Sequence, residues 1–482
     1  MKKAISKFVE KYTKEIKENN AAIFAGAGFS LDAGYVDWKK LLEPLADEID
    51  VDIDRETDLV SLAQYYKNEK QNRTEISNRI FEEFSKVKDP DENHLILARL
   101  PITTYWTTNY DSLIEDSLKL VGKEADVKYS VDQLAHTKPN RNAIVYKMHG
   151  DREHPSQTII IKEDYELYST QYAPFITALS GDLVSKTFLF IGFSFTDPNL
   201  DYILSRIRVN YGENQRTHYS FVKQVKEDDY DCKDDFEYFK RKQELFIHDL
   251  KRYNIEALII DDYSEITDVL KMIEQSINED NIFISGSAHT YIPWEEKKAQ
   301  KFINDLSKKL IEENKNIISG FGVGIGSFVI TGALEEMYMK QEKINSNQLI
   351  LRPFPQKTLP EKNRNLLWKK YREDMISLSG ISVFVFGNKI DKDGKIIDAN
   401  GEYSEFEIAK DKGSIIIPVG STGYVAKRIW NEINSEFDEF YPSASKKLRD
   451  LYSKLNKEDD GEKLINIIIE FINECKKLNF NK

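Results

Sequence analysis

Short runs of continuously apolar residues recur along this chain, separated by longer stretches in which apolar positions repeat every three or four residues. The runs at 21–25, 103–106, 143–148, 187–191, 218–222 and 255–260 read as buried strands. A second set follows at 281–284, 317–318, 349–351, 383–386 and 415–417. Phe8, Val9, Tyr12 and Ile16 fall on one helical face within 5–18, and similar patterns mark helices at about 38–48, 58–87, 263–278 and 294–313. Another helix follows 319–327 as far as Gln341, and Leu464, Ile465, Ile468 and Ile472 mark a closing one. Strands without alternation, interleaved with amphipathic helices, predict parallel sheets covered on both faces. The series ends at 278 and restarts at 281, so we expect two α/β domains, 1–279 and 280–482.

Ligands in such sheets bind beyond the carboxyl ends of the strands, and the chemistry-bearing residues cluster there. The run at 21–25 leads into Gly26-Ala27-Gly28-Phe29-Ser30, and the run at 103–106 leads into Thr108-Asn109-Tyr110-Asp111. The next two deliver His149-Gly150 and Gly192-Phe193-Ser194. Gly26 and Gly28 suit close approach to phosphate oxygens, and the helix expected after them would present its N-terminus to the same anion. Leu31 stands where G-x-G-x-x-G has its third glycine, so a plain strand-to-helix turn is the alternative. Asn109 and Asp111 both suit a helix N-cap, and a lone histidine such as His149 is more often structural. In the second half, Ser285-Gly286-Ser287 follows a strand, and Gly320, Gly322, Gly324 and Gly326 alternate directly ahead of a helix. Both halves therefore read as Rossmann-like.

Composition narrows the partners. With 68 basic and 81 acidic residues the net charge is −13, which disfavours a general nucleic-acid binder. The only cysteines, Cys232 and Cys475, can build neither a disulfide framework nor a cysteine-rich zinc site. The histidines show no metal spacing, and we expect no metal. The N-terminus is charged and amphipathic, and no apolar stretch approaches the roughly 20 residues that span a bilayer. We expect a soluble, cytoplasmic protein with no membrane partner.

Taken together, Gly-Ala-Gly-x-Ser, Thr-Asn-x-Asp and His-Gly in this order resemble the sirtuin family over about residues 1–275. The resemblance implies that Asn109 orders the nicotinamide ribose and a water, and that His149 is a general base. Gly26, Ala27, Gly28, Ser30, Asp111, Gly192 and Ser194 would line the NAD cleft; Asp111 also fits a cap, and no chemistry is assigned to it. The segment 192–198 is similar to one that sirtuin-like antiphage proteins use near the adenosine ribose. Sirtuin deacylases carry a four-cysteine zinc module and a Pro-Asp-Phe-Arg stretch, and this chain has neither. The acyl-lysine cleft would then be incomplete and water the acceptor, making NAD a substrate rather than a cofactor.

Residues from about 281 resemble the SLOG superfamily of nucleotide-binding domains. The Pro-Gly-Gly-x-Gly-Thr loop of its catalytic members is absent here, which implies binding without turnover. The chain as a whole resembles the sirtuin-like/SLOG effectors of the Thoeris antiphage defence system. That resemblance implies NAD hydrolysis switched on by a cyclic ADP-ribose isomer, made by a TIR-domain partner, and homo-oligomerisation. It assigns signal contacts to Arg372, Lys389 and Glu405, with Ser285, Gly286, Gly322 and Gly324 adding backbone contacts and Gly420-Ser421-Thr422-Gly423 a further wall. A guanidinium and an ammonium suit a diphosphate, and a carboxylate suits ribose hydroxyls. Two other readings stay open: a non-catalytic NAD and nucleotide sensor, and a protein deacylase.

Overall fold

The structure, a computed structural model, describes residues 3–340, 348–354 and 361–479. The chain divides into two compact units between Glu274 and Gln275, inside the helix Ser264–Asn278.

The first unit is built on β1 (Ala21–Ala25), β2 (Thr104–Thr107), β3 (Ala125–Lys128), β4 (Ala143–Lys147), β5 (Thr187–Ile191), β6 (His218–Lys223) and β7 (Ile255–Ile260). They form one parallel sheet in the order β3-β4-β2-β1-β5-β6-β7. All residues of β1, β2 and β5 are buried, as expected of central strands with helices on both faces. Helix Lys3–Lys17 covers one face, where Tyr12 donates a hydrogen bond to the Ala22 carbonyl (2.9 Å) and Phe8 packs on Tyr219. The chain leaves β1 toward β2 on one side and returns to β5 on the other, so the switch in direction lies between β1 and β5. Ala25 pairs with both Thr107 and Ile191, and Thr107 pairs with Lys147. The four central strands thus end level, and Gly26, Thr108, Met148 and Gly192 are the first residues past that line.

The second unit contains β8 (Asn281–Ser287), β9 (Asn316–Ser319), β10 (Leu349–Leu351), β11 (Ile381–Phe386), β12 (Asn388–Ile390), β13 (Ile396–Asp398) and β14 (Ile415–Pro418). Its parallel sheet runs β10-β9-β8-β11-β14, and β12 and β13 form a separate antiparallel ribbon. Here the switch lies between β8 and β11, where Ser287 pairs with Phe386.

The two-sheet α/β architecture agrees with the sequence pattern; one expected helix needs correction and strand β3 was not foreseen. The helix expected over 58–87 is two, Leu59–Lys70 and Thr74–Phe84. Asp58 caps the first through Ser61 N (3.0 Å), and Gln71 ends it with a left-handed backbone (φ 50°). Arg73 is then committed to Asp164 (2.7 Å) rather than to a helix surface. Strand β3 escaped detection because Asp126, 2.7 Å from both Lys128 and Arg141, supplies polar pairing where an apolar run was sought. The helix after the second glycine loop is Gly326–Lys340; Gln341, its expected end, lies outside the described residues.

Gly192 has φ +62°, and a Cβ placed there would stand 2.0 Å from the Phe29 nitrogen. Gly192→Ala should destabilise the first unit by at least about 1–3 kcal/mol. A lowered thermal midpoint in calorimetry would show it, and an unchanged midpoint would contradict the packing.

Candidate functional site

The loops leaving β1 and β5 are fastened together across the switch point. Gly26 N donates to the Ile191 carbonyl (3.0 Å) and Gly28 N to the Gly192 carbonyl (2.9 Å). A Cβ on Gly26 would meet Gly192 O at 2.5 Å. These glycines are therefore required for loop-to-loop contact. The helix after Gly26 is the single turn Ala27–Ser30, too short for a strong helix-terminus anion site.

What the loops carry is a directed hydrogen-bond chain. Asn109 Nδ2 donates to the Gly26 carbonyl (3.0 Å) and to Ser30 Oγ (2.9 Å), and Ser30 Oγ donates to Asp111 Oδ2 (2.8 Å). Asp111 Oδ1 in turn accepts from Leu113 N (3.0 Å), at the start of helix Leu113–Leu120. A carbonyl can only accept, so the Asn109 nitrogen must face Gly26, and its oxygen is fixed on the other side. That oxygen is buried and has no partner among the described residues. It is a preset acceptor for a water or a hydroxyl. Neither Asn109 nor Asp111 is the N-cap, which is Ser112; Asp111 stands one residue before it and accepts from the first helical N–H.

Lys147, fully buried, supports this chain from below. Its Nζ donates to the carbonyls of Tyr110 and Asp111 and lies 3.1 Å from Glu115 and 2.5 Å from Asp151. Burial alone would lower its pKa, but Glu115, Asp151 and Asp111 outweigh that, and it stays charged. Two residues beyond Lys147 comes His149, level with Asn109 by strand register and 1% exposed. Its Nε2 lies 3.0 Å from Asp197 Oδ2, close but out of line for a hydrogen bond, and Nδ1 has no partner among the described residues. Asp197 also caps helix Pro198–Tyr211 by accepting from Leu200 N (2.9 Å). Burial pushes the Asp197 carboxyl up, but His149 and the Leu200 and Asn199 N–H groups outweigh it, and the net shift is downward.

Gly26, Ser30, Asn109 and Asp111 are thus joined directly, with Gly28 and Gly192 in the loop contact and His149 on the same edge. Ala27 opens the one-turn helix, and Ser194 is exposed, bonded to Thr196 (2.8 Å). Sequence reasoning missed Lys147 and Asp197; the Asp197-Pro198 pair does read as a cap followed by a first-turn proline.

The second unit repeats the device. A Cβ on Gly322 would lie 1.9 Å from Gly286 O, and Gly324 (φ +73°) abuts the Ala288 carbonyl. Strand β8 runs on through Ser285-Gly286-Ser287, expected to follow it; near its end Ser285 Oγ donates to Glu405 Oε2 (2.7 Å), and Arg372 Nε donates to Glu405 Oε1 (3.3 Å). Burial pushes the Glu405 carboxyl up, with Ser285 and Arg372 opposing. Lys389 stands exposed on β12, outside that network. Gly420 and Thr422 are buried, and Thr422 Oγ1 accepts from Phe386 N (2.8 Å), so this segment braces β11. Phe195, Phe321 and Phe386, all at these strand ends, hold left-handed backbones (φ 58–59°) that bulky residues seldom adopt.

Residues 103–258 match the SIR2-like domain family, and 265–475 match the Sir2- and TIR-associating SLOG family. NAD(+) hydrolase ThsA of Bacillus cereus is 55% identical over 474 residues, covering 98% of each chain. The chain belongs to the ThsA family. Its Acinetobacter baumannii member is 48% identical, over 96% of this chain and 98% of that one. Defense-associated sirtuin 2 of Bacillus subtilis is 25% identical over 42% of this chain and 20% of its own length. No helix among the described residues is long and apolar enough to cross a membrane.

Two outcomes follow. Asn109→Asp sets an oxygen against the Gly26 carbonyl and should cost about 1–3 kcal/mol in chemical unfolding, where a simple surface change would cost nothing. Asp197, with its depressed pKa, contributes stability that is present above its unfolded pKa and lost as pH falls through the folded value. Asp197→Asn should therefore flatten the acid limb of a stability–pH profile.

Proposed function

We propose that this chain is an NAD(+) hydrolase of antiphage defence, releasing nicotinamide and ADP-ribose when a cyclic ADP-ribose isomer occupies the second unit. The observation that supports it best is the fixed, unspent Asn109 oxygen on the same sheet edge as a buried imidazole. The family relatives named NAD(+) hydrolase point the same way.

In this reading the bond between ribose C1′ and the nicotinamide nitrogen breaks, and its electron pair leaves with the nicotinamide, which departs neutral. The ribosyl centre becomes oxocarbenium-like, and water bonds to C1′. Asn109 Oδ1 accepts a hydrogen bond from that water or a ribose hydroxyl, holding it for attack. His149 takes the proton released, by way of its unpartnered Nδ1. Ser30 and Asp111 act by keeping Asn109 from turning over. NAD is then substrate, and no resident cofactor or metal is called for. A second class of reading, a sensor without turnover, finds no use for an imidazole buried here.

The signal would be made by a TIR-domain protein elsewhere in the cytoplasm and would act on a homo-oligomer. It must bind the active arrangement more tightly than the resting one, since equal affinity shifts nothing. Arg372 and Lys389 would take its diphosphate and Glu405 its hydroxyls.

Nicotinamide release by the full chain, with and without cyclic ADP-ribose isomers, tests this. Asn109→Ala and His149→Ala should each lower signal-stimulated turnover by at least about 10²-fold while the chain stays folded by circular dichroism. Arg372→Ala should raise the signal concentration needed without touching the NAD site. Turnover in both site variants equal to wild type would reject the assignment.

A further inference from the structure

The second unit holds another carboxyl at its switch point. Glu402 lies three residues before Glu405 on helix Asn400–Asp411 and is 6% exposed. Neither of its carboxyl oxygens completes a hydrogen bond among the described residues; the Ser287 hydroxyl and N–H face it without meeting hydrogen-bond geometry. It stands against the loop that leaves β11, since a Cβ on Gly387 would come within 2.5 Å of Oε2. That glycine (φ +99°) ties the elements of the switch point together. Its N donates to the Ser287 carbonyl (3.0 Å), and its own carbonyl accepts from Ala399 N (2.9 Å). Ligands of open α/β sheets bind in this crevice.

The electrostatics around Glu402 are one-sided. Glu405 on its own helix and Asp398 on β13 are both acidic, and each makes ionisation harder. The nearby cation, Arg372, is engaged with Glu405. Burial, the largest influence, pushes the Glu402 carboxyl well above the usual range, with Ser287 opposing only in part. The protonated acid is thereby favoured, and in that form the group has one O–H to give and one carbonyl to offer. A buried polar group left so is costly unless something else completes it.

We propose that Glu402 is a ligand-contacting residue of the second unit's nucleotide site, donating its O–H to an oxygen of the bound nucleotide's ribose–phosphate backbone. This rests on reading that unit as a nucleotide-signal site. Glu402 and Glu405 then divide the work: one offers a proton to an acceptor, and the other accepts from hydroxyls. An ionised Glu402 would repel a diphosphate instead, so signal binding weakens as pH rises through its raised value.

The test is calorimetric binding of cyclic ADP-ribose isomers and of ADP-ribose to the full chain at pH 7 and pH 9. Glu402→Gln keeps a neutral donor and should bind within about threefold of wild type at pH 7, whereas Glu402→Leu should lose about tenfold or more. Wild-type affinity should fall toward pH 9 by more than that of Glu402→Gln. A Glu402→Leu thermal midpoint at or above wild type would confirm that the fold survives. Wild-type affinity in Glu402→Leu, or equal loss in Gln and Leu variants, overturns the proposal. If wild type and Arg372→Ala alike bind none of these nucleotides, the signal-site reading itself fails and this inference falls with it.

Discussion

The close approach of two loops across a sheet's switch point is the constraint on which the rest depends. In the first unit Gly26, Gly28 and Gly192 leave no room for a Cβ between the loops after β1 and β5. The second unit meets the same demand with Gly286 near the end of β8 and Gly322 in the loop after β9. Because the loops touch through backbone, their polar groups are satisfied by each other, and the side chains they carry are held without slack. Residues such as Phe195, Phe321 and Phe386 accept unfavourable backbone angles there, which the surrounding packing must enforce. Rigidity at the strand ends is thus an outcome of glycine placement.

On that frame the first unit sets one amide. The run from Gly26 through Asn109 and Ser30 to Asp111 has a single possible direction, dictated by a carbonyl at one end and a carboxylate at the other. The charge of Lys147 beneath it is matched by Glu115 and Asp151, so a buried ammonium is tolerated while it fixes the Tyr110 and Asp111 carbonyls. The consequence is an unspent oxygen on Asn109 in a dry setting, where an electrostatic contact is worth more than in water.

Much of this was legible in the chain. Unbroken apolar runs located the central strands because both their faces are buried, and the residues straight after them named Gly26, Asn109, His149 and Gly192. Three strands were not legible: β3 is held by Asp126, Lys128 and Arg141, and β12 and β13 are three-residue pieces of a ribbon. The long pattern over 58–87 hid a break because Gln71 is an unremarkable helix former whose left-handed turn is set by its tertiary setting. Partnerships between distant positions, such as His149 with Asp197 or Glu402 with the Gly387 loop, have no periodicity to betray them. Only the fold brings them into contact.

In Asp197 one carboxylate does two jobs. Oδ1 holds the first turn of helix Pro198–Tyr211, while Oδ2 sits beside the His149 ring. Neither oxygen can move without the other, so a tilt or slide of that helix would shift the carboxylate beside the imidazole. The helix is in effect a lever arm whose short end sits next to the proposed base.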